Sequence, residues 1–426
     1  MRSDKSNQTN LRPELRAQVD AEGRLIFPPE VASRFGLRPG SQLYIEDRAN
    51  SLCLRPPITH LRKVYIEATN GCNLDCRTCI RNIWEEPIGQ MDDAIFHRII
   101  GGLQVFSPPP TIFFGGFGEP LSHPDIVEMV AEAKALGSSV ELITNGTLLT
   151  SDMSHRLIET GLDVLWVSID GATPESYADI RLGAALPEVL ANLMTFRNIR
   201  MENHLLTPEI GIVFVAMKRN IADLPSVLRL GSERDATRFL VTNVLPYSTE
   251  LKDEVLYSEA LMDIIYQPIL SMPHLKLPKI DVYEIIREPL YRSLRDNGQI
   301  VSIAGGILGE ASDRCPFIES GVMAISWDGG ISPCLPLLHS HIHFLDERKR
   351  FSRRYVVGNV AQHDLIDLWN APDYVTFRKR VQAFSFSHCL FCSGCDLSYA
   401  NEEDCRGNTF PTCGGCLWAQ GVIQCP

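Results

Sequence analysis

Between Leu61 and about Pro246, short apolar runs alternate with amphipathic stretches, and this alternation narrows the fold more than any other feature of the chain. The runs are KVYIEAT (63–69), TIFFGG (111–116), SVELIT (139–144), DVLWVSI (163–169), EIGIVFVA (209–216) and TRFLVTNV (237–244). Between them, MDDAIFHRIIGGL, HPDIVEMVAEAKALG, SDMSHRLIETG, LPEVLANLMTFRNIR and ADLPSVLRLGSE carry the periodicity of helices. Apolar strands joined by helices form a parallel sheet with right-handed crossovers. Six such units suit an α/β fold of the open, partial (β/α)6 TIM type, with ligands at the carboxyl ends of the strands.

At 426 residues, 45% apolar and 22% charged, the chain has the composition of a soluble globular protein of two or three domains. Its net charge of −12 argues against a nucleic-acid binder that neutralises many phosphates. No apolar run is long enough to span a membrane, and the opening MRSDKSNQTNLRPELR has no apolar core of a secretory signal. A cytoplasmic protein is expected. In that reducing setting its 13 cysteines are metal ligands rather than disulfides. Cys53, in the alternating stretch LCLRP, reads instead as a small core residue.

The segment ATNGCNLDCRTCIR places Cys72, Cys76 and Cys79 directly after the first strand, at the end where such a fold keeps its chemistry. One loop with these spacings wraps three thiolates around three corners of a four-iron cluster and leaves one iron open. An open iron can chelate the amino and carboxyl groups of a methionine moiety, and a low-potential cluster can pass an electron to its sulfonium. Structural zinc is the competing reading, but it wants four closed ligands, and no fourth Cys or His lies within this loop.

The next strands end in polar or glycine-rich turns. Strand two runs into Gly115-Gly116-Phe117-Gly118-Glu119-Pro120, strand three into Thr144-Asn145-Gly146, and strand four into Ser168-Ile169-Asp170-Gly171. Glycines allow a ligand to approach the backbone closely, and the Glu119 carboxylate suits an ammonium. Asn145, Ser168 and Asp170 suit ribose hydroxyls or a methionine carboxylate, although Asn145 and Asp170 serve equally as caps or turn formers. Arg181 suits a carboxylate or a surface ion pair.

The CxxxCxxC loop followed by these motifs resembles the radical SAM superfamily. The resemblance implies a [4Fe-4S] cluster on Cys72, Cys76 and Cys79, and S-adenosyl-L-methionine (SAM) as cofactor, with the methionine amino group on a loop of the GGEP type. One departure is Thr78, where the family usually has an aromatic residue near the adenine; that contact does not carry over.

Nine cysteines lie between Cys315 and Cys425. Cys315 and Cys334 bracket GVMAISWDGGISPC, which reads as a β-hairpin turning at Asp328-Gly329-Gly330. Cys389, Cys392, Cys395, Cys405, Cys413, Cys416 and Cys425 follow. With VGNVAQHDLIDLWN (357–370), this region resembles the SPASM-type extension, which implies one or two auxiliary [4Fe-4S] clusters; the terminal spacing departs from the usual form and leaves individual assignments open. Zinc-ribbon sites are the alternative.

Residues 15–57 read as short strands around a helix, PEVASRFGL, with turns at Glu22-Gly23 and Pro39-Gly40. They resemble the AbrB/SpoVT swapped-hairpin fold, which dimerises and often binds DNA. Seven Arg and no Lys against six acidic residues over 11–57 give a grip too weak for phosphates, so a dimerisation or docking module is expected and DNA is not. The expected organisation is a disordered tail (1–10), the hairpin module (11–58), the core (61–250), a helical connecting region (251–312) and the cysteine-rich extension (313–426).

The full combination resembles the radical SAM maturases of tungsten-cofactor oxidoreductases related to aldehyde ferredoxin oxidoreductase. This implies a target oxidoreductase as partner and an electron donor such as ferredoxin or flavodoxin. Two rivals stay open: a maturase acting on a ribosomal peptide substrate, and a redox-sensing DNA-binding regulator.

Overall fold

The computed structural model describes residues 16–35, 37, 43–48, 51–258, 274–277, 300–303, 306–308, 314–390, 392 and 394–426. The expected tail at 1–10 and the turn at Pro39-Gly40 lie outside them.

Six parallel strands form the expected core: β1 (Lys63–Ile66), β2 (Thr111–Phe114), β3 (Val140–Thr144), β4 (Val164–Ser168), β5 (Glu209–Ala216) and β6 (Ala236–Asn243). They lie in sequence order, as one-way winding of right-handed crossovers requires. Val64, Ile66, Ile112, Phe114, Val140, Leu142, Leu165 and Ile210 are fully or almost fully buried, because the helices cover the strands. Those helices are α1 (Asp93–Leu103), α2 (Ile126–Ala135), α3 (Ser151–Glu159), α4 (Pro174–Ile180), α5 (Leu186–Glu202) and α6 (Leu224–Ser232). Local chemistry sets their starts: Asp92 caps α1, Thr150 caps α3, and Thr173 with Ser176 forms a capping box on α4.

The sheet does not stop at six strands. β7 (Val322–Ile325), from the cysteine-rich extension, pairs parallel to β1 with Val322 opposite Lys63. It turns through Ser326–Gly330 into antiparallel β8 (Gly330–Ser332), the expected hairpin, and Gly358–Asn359 adds a ninth strand. The extension thereby shares the barrel's core. Trp369, Tyr374 and Phe386 are buried in one continuous apolar cluster with the strands, so metal is not the only source of cohesion there.

Two segments flank this core. In 251–312, read as helical, the described residues include three short paired strands, His274–Leu277, Ile300–Ile303 and Gly306–Leu308. The helix Thr249–Asp253 runs into the start of this segment, and most of the remainder lies outside the described residues. In the N-terminal module, Gln18–Val19 pairs with Leu25–Ile26, the helix spans Pro29–Arg34, and Tyr44–Arg48 pairs with Ser51–Arg55, the last strand containing Cys53. Among the described residues no helix is long and apolar enough to cross a membrane.

Candidate cofactor site at the carboxyl end of the sheet

The ends of β1 to β4 deliver four loops to one place. The loop after β1 carries the cysteine triad. Cys76 is buried, and Cys72 and Cys79 are partly so. Leu74 N–H points at Cys72 Sγ (3.4 Å), Asn145 Nδ2 approaches the same sulfur (3.9 Å), and Arg181 Nη1 approaches Cys76 Sγ (3.8 Å). Burial pushes the Cys72 and Cys76 thiols up; Arg181 offsets this at Cys76, whereas the neighbouring sulfurs, Cys76 for Cys72 and Cys79 for Cys76, add to it. Buried thiols beside one another, as at Cys72 and Cys76, need a cationic group to hold them as thiolates. Cys72, Cys76 and Cys79 bring three thiols from one loop, and no fourth cysteine stands in that loop. The donor set fits an iron–sulfur cluster.

The loop after β2 lies against the triad loop. A Cβ on Gly118 would stand 2.1 Å from the carbonyl oxygen of Thr69, so only glycine fits this crossing. Glu119 N–H then donates to Gly71 O (2.8 Å), and Phe117 O lies 4.0 Å from Cys79 Sγ. Gly115 packs against Ile143 and Phe113, and Pro120 opens a short 3-10 turn, Pro120–Ser122.

The Glu119 carboxylate is buried and fully engaged. Oε1 accepts from Leu121 N–H (3.0 Å) and Thr144 Oγ1 (2.7 Å), and Oε2 accepts from Asn145 N–H (2.7 Å). Burial raises its pKa, and these donors work against the rise. Glu119 therefore ties the β2 loop to the β3 loop. Asn145 braces the same region through Asn73 Oδ1 (2.9 Å) and Thr147. Ser168 is buried at the end of β4. Asp170, with no exposure, accepts from Val215 N–H (2.7 Å) and from Arg181 Nε (2.6 Å). Burial opposes the charge of Arg181, but Asp170 and Cys76 hold its pKa above the ordinary arginine value. Arg181 is thus an ion-pair partner of Asp170 inside the protein and faces a sulfur of the triad.

In the extension, Cys315, Cys334, Cys413 and Cys416 line one cavity of about 40 Å³. Burial pushes Cys315 up to about 12 and raises Cys334 and Cys413 well above the ordinary thiol value, and Cys416 adds to the rise at all three. His341 and His343 line the same cavity, and His341 Nε2 and His343 Nδ1 are buried without a hydrogen-bond partner. Orphaned buried ring nitrogens beside crowded thiols fit a bound metal-bearing group. Cys389 lies within electrostatic reach of Cys392 and Cys405, and Cys405 Sγ is 3.0 Å from Ser387 Oγ. Cys395 begins the turn Asp396–Tyr399, and Cys425 is partly buried near Lys63 and Cys416.

Sequence reasoning passed over a third group. His339 is almost fully buried; its Nε2 is 2.8 Å from Glu67 Oε2 and its Nδ1 is 2.5 Å from Glu86 Oε2. Trp84 stacks on its ring at 4.2 Å. The available signal was Glu67 itself, a charge inside the apolar run KVYIEAT. Burial works against the charge of His339, but the two carboxylates outweigh it and push its pKa up to about 9. Burial likewise opposes ionisation of Glu86, and His339 and Ser340 reverse this and hold its pKa down. Arg354 acts on Glu86, and His341, which opens the strand His341–Leu345, lies close to His339. A raised histidine pKa stabilises fully below the unfolded value of 6.5, and the gain is lost as pH rises through about 9. The difference in thermal midpoint between the wild type and His339→Gln is therefore expected to be largest at pH 6.5 and to shrink towards pH 9; calorimetry across that range checks it.

The radical SAM superfamily model matches residues 66–230, and the iron–sulfur cluster-binding SPASM model matches residues 315–396. The chain is 31% identical over 370 residues to the tungsten-containing aldehyde ferredoxin oxidoreductase cofactor-modifying protein of Pyrococcus furiosus, a match covering 86% of this chain and 97% of the relative. The chain belongs to that radical SAM/SPASM family. As a family member it is a radical SAM enzyme. It is also 28% identical over 199 residues to the PqqA peptide cyclase of Gluconobacter oxydans, covering 46% of this chain and 52% of that one. Among solved structures, Streptococcus suis SuiB bound to S-adenosylmethionine superposes with a TM-score of 0.51 at 16% identity, covering 79% of this chain and 71% of SuiB, which supports the partial-barrel fold. The AbrB-like reading of the N-terminal module gains no support from these matches.

Proposed function

We propose that this enzyme generates a 5′-deoxyadenosyl radical and uses it to mature a tungsten-containing oxidoreductase related to aldehyde ferredoxin oxidoreductase. The observation that carries the reading is the triad loop locked against the 115–120 loop at Gly118, on a chain that matches nearly the full length of a cofactor-modifying protein. The bound cluster and SAM supply one electron and the C–S bond that it breaks. The protein's own residues do the rest. Cys72, Cys76 and Cys79 hold three corners of the cluster, and Arg181 offsets their charge. Glu119 fixes the geometry of the β2 and β3 loops, so that the backbone of 115–118, Asn145 and Ser168 present polar groups to the cofactor. Asp170 keeps Arg181 in place.

Cys315, Cys334, Cys413 and Cys416 hold one auxiliary [4Fe-4S] cluster in this reading. Cys389, Cys392, Cys395 and Cys405 hold a second, and Cys425 lies beside the first. Ferredoxin or flavodoxin suits the role of electron donor. The exposed apolar residues Val19, Ile26, Ile45 and Leu52 support a homodimer through the N-terminal module. The net charge argues against DNA, and we place the enzyme in the cytoplasm.

The PqqA peptide cyclase match and the fold shared with SuiB, which has been crystallised bound to a precursor peptide at a TM-score of 0.50, favour a peptide substrate as the second reading. Anoxic co-purification separates the two. If the first holds, a tungsten-containing oxidoreductase of the same cell co-purifies, and its activity rises when the enzyme and SAM are present. An oxidoreductase that is equally active without this enzyme would remove the maturation reading.

A further inference from the structure

We propose that His339, contributed by the extension, is a positioning residue for the cofactor loop 115–120 and acts on it through Glu67. The inference rests on that loop holding SAM.

Glu67 follows β1 directly and is 1% exposed. Its Oε1 accepts the Phe117 N–H (3.1 Å), and a Cβ on Gly116 would lie 2.7 Å from the same oxygen. The loop therefore lies flat on this carboxylate, and the glycine at 116 is explained by Glu67 rather than by a ligand. Glu67 Oε2 faces His339 Nε2 (2.8 Å). Glu86 completes the cluster, taking His339 Nδ1 on one oxygen and the Ser340 N–H on the other (2.9 Å). With a carboxylate at each ring nitrogen, the imidazole carries both protons, and the bonds are charge-assisted. Trp84 covers the ring, and Phe117 meets both rings edge-on, 5.2 Å from Trp84 and 5.7 Å from His339.

Three separate parts of the chain meet here: the end of β1, the stretch just beyond the triad, and the extension. The Glu67 side chain holds the cofactor loop at the Phe117 amide, whose own carbonyl faces Cys79 Sγ at 4.0 Å, while Ile66 O at the end of β1 accepts the Gly115 N–H. Without the imidazolium, Glu67 would be a buried carboxylate with one backbone donor. Such a group draws in water or shifts, and the Phe117 amide would move with it. The extension therefore does more than carry cysteines: through His339 it holds the loop that receives SAM. Residues 339, 341 and 343 alternate along one buried face, His341 and His343 lining the four-cysteine cavity and His339 reaching the cofactor loop. Docking of the extension and readiness of the cofactor loop are thus linked by one short stretch, 339–343.

The test uses the full chain, reconstituted anaerobically, with SAM affinity read by titration and the reduced triad cluster read by electron paramagnetic resonance. Wild-type protein must change its spectrum on adding SAM; if it does not, the assignment of the site and this proposal both fall. Given that change, His339→Gln is expected to keep its iron but bind SAM about tenfold more weakly, the scale of one charge-assisted hydrogen bond, and to show only part of the spectral change. Glu67→Gln combined with His339→Gln removes the uncompensated charge, keeps an acceptor for Phe117 N–H, and is expected to recover affinity to within a few-fold. The milder Glu86→Gln is expected to fall between the wild type and His339→Gln. Wild-type affinity and spectrum in His339→Gln would overturn the proposal. So would equal iron loss from all centres in both single variants, since His339 would then be a general structural residue.

Discussion

Cys76→Ala is expected to abolish 5′-deoxyadenosine formation while the auxiliary iron stays bound. Cys76 is the buried member of the triad and the sulfur that Arg181 faces at 3.8 Å. Two remaining thiolates cannot keep a cluster with a single open iron, so the effect is complete rather than graded. The four thiols of the extension cavity belong to another part of the sheet and are untouched. Iron is expected to fall from about twelve to about eight per chain if three four-iron clusters form. Anaerobic reconstitution, iron analysis and product quantification with a strong reductant check this. Full product formation in the variant would take the triad out of the chemistry.

Asp170→Asn is the second large effect, expected in stability as well as activity. Asp170 has no exposure and spends one oxygen on Val215 N–H and the other on Arg181 Nε. An amide there presents an NH2 group to a guanidinium or turns it on the β5 backbone, and either choice leaves a buried charge unpaired. Breaking a buried pair in this way costs roughly 3–5 kcal/mol. The urea midpoint is expected to drop accordingly. Arg181, no longer held, also stops facing Cys76, so the iron of the triad site should become labile before that of the extension. An unchanged midpoint would show that Arg181 finds another partner and that Asp170 is no anchor.

The core was legible because its signals are local. EIGIVFVA is β5 residue for residue, Glu209–Ala216, and the helix read over 186–200 runs to Glu202. The cysteine loop, Glu119, Asn145 and Asp170 could be located for the same reason: strand ends follow from periodicity, and a parallel sheet brings successive strand ends together. Their roles were less legible. Glu119 and Asp170 read as candidate ligand contacts, yet both spend their oxygens on protein donors, and this follows only from burial and from which loops pass beside them.

The sequence by itself determined the parallel core, the hairpin of the extension and the cysteine triad, because each is written within a few neighbouring residues. Only the tertiary structure decided that β7 joins β1, that Cys315 and Cys334 share a cavity with Cys413 and Cys416, and that His339 sits between Glu67 and Glu86. Pairing across such distances depends on which faces can exclude water together and which buried charges can meet. No local period encodes that.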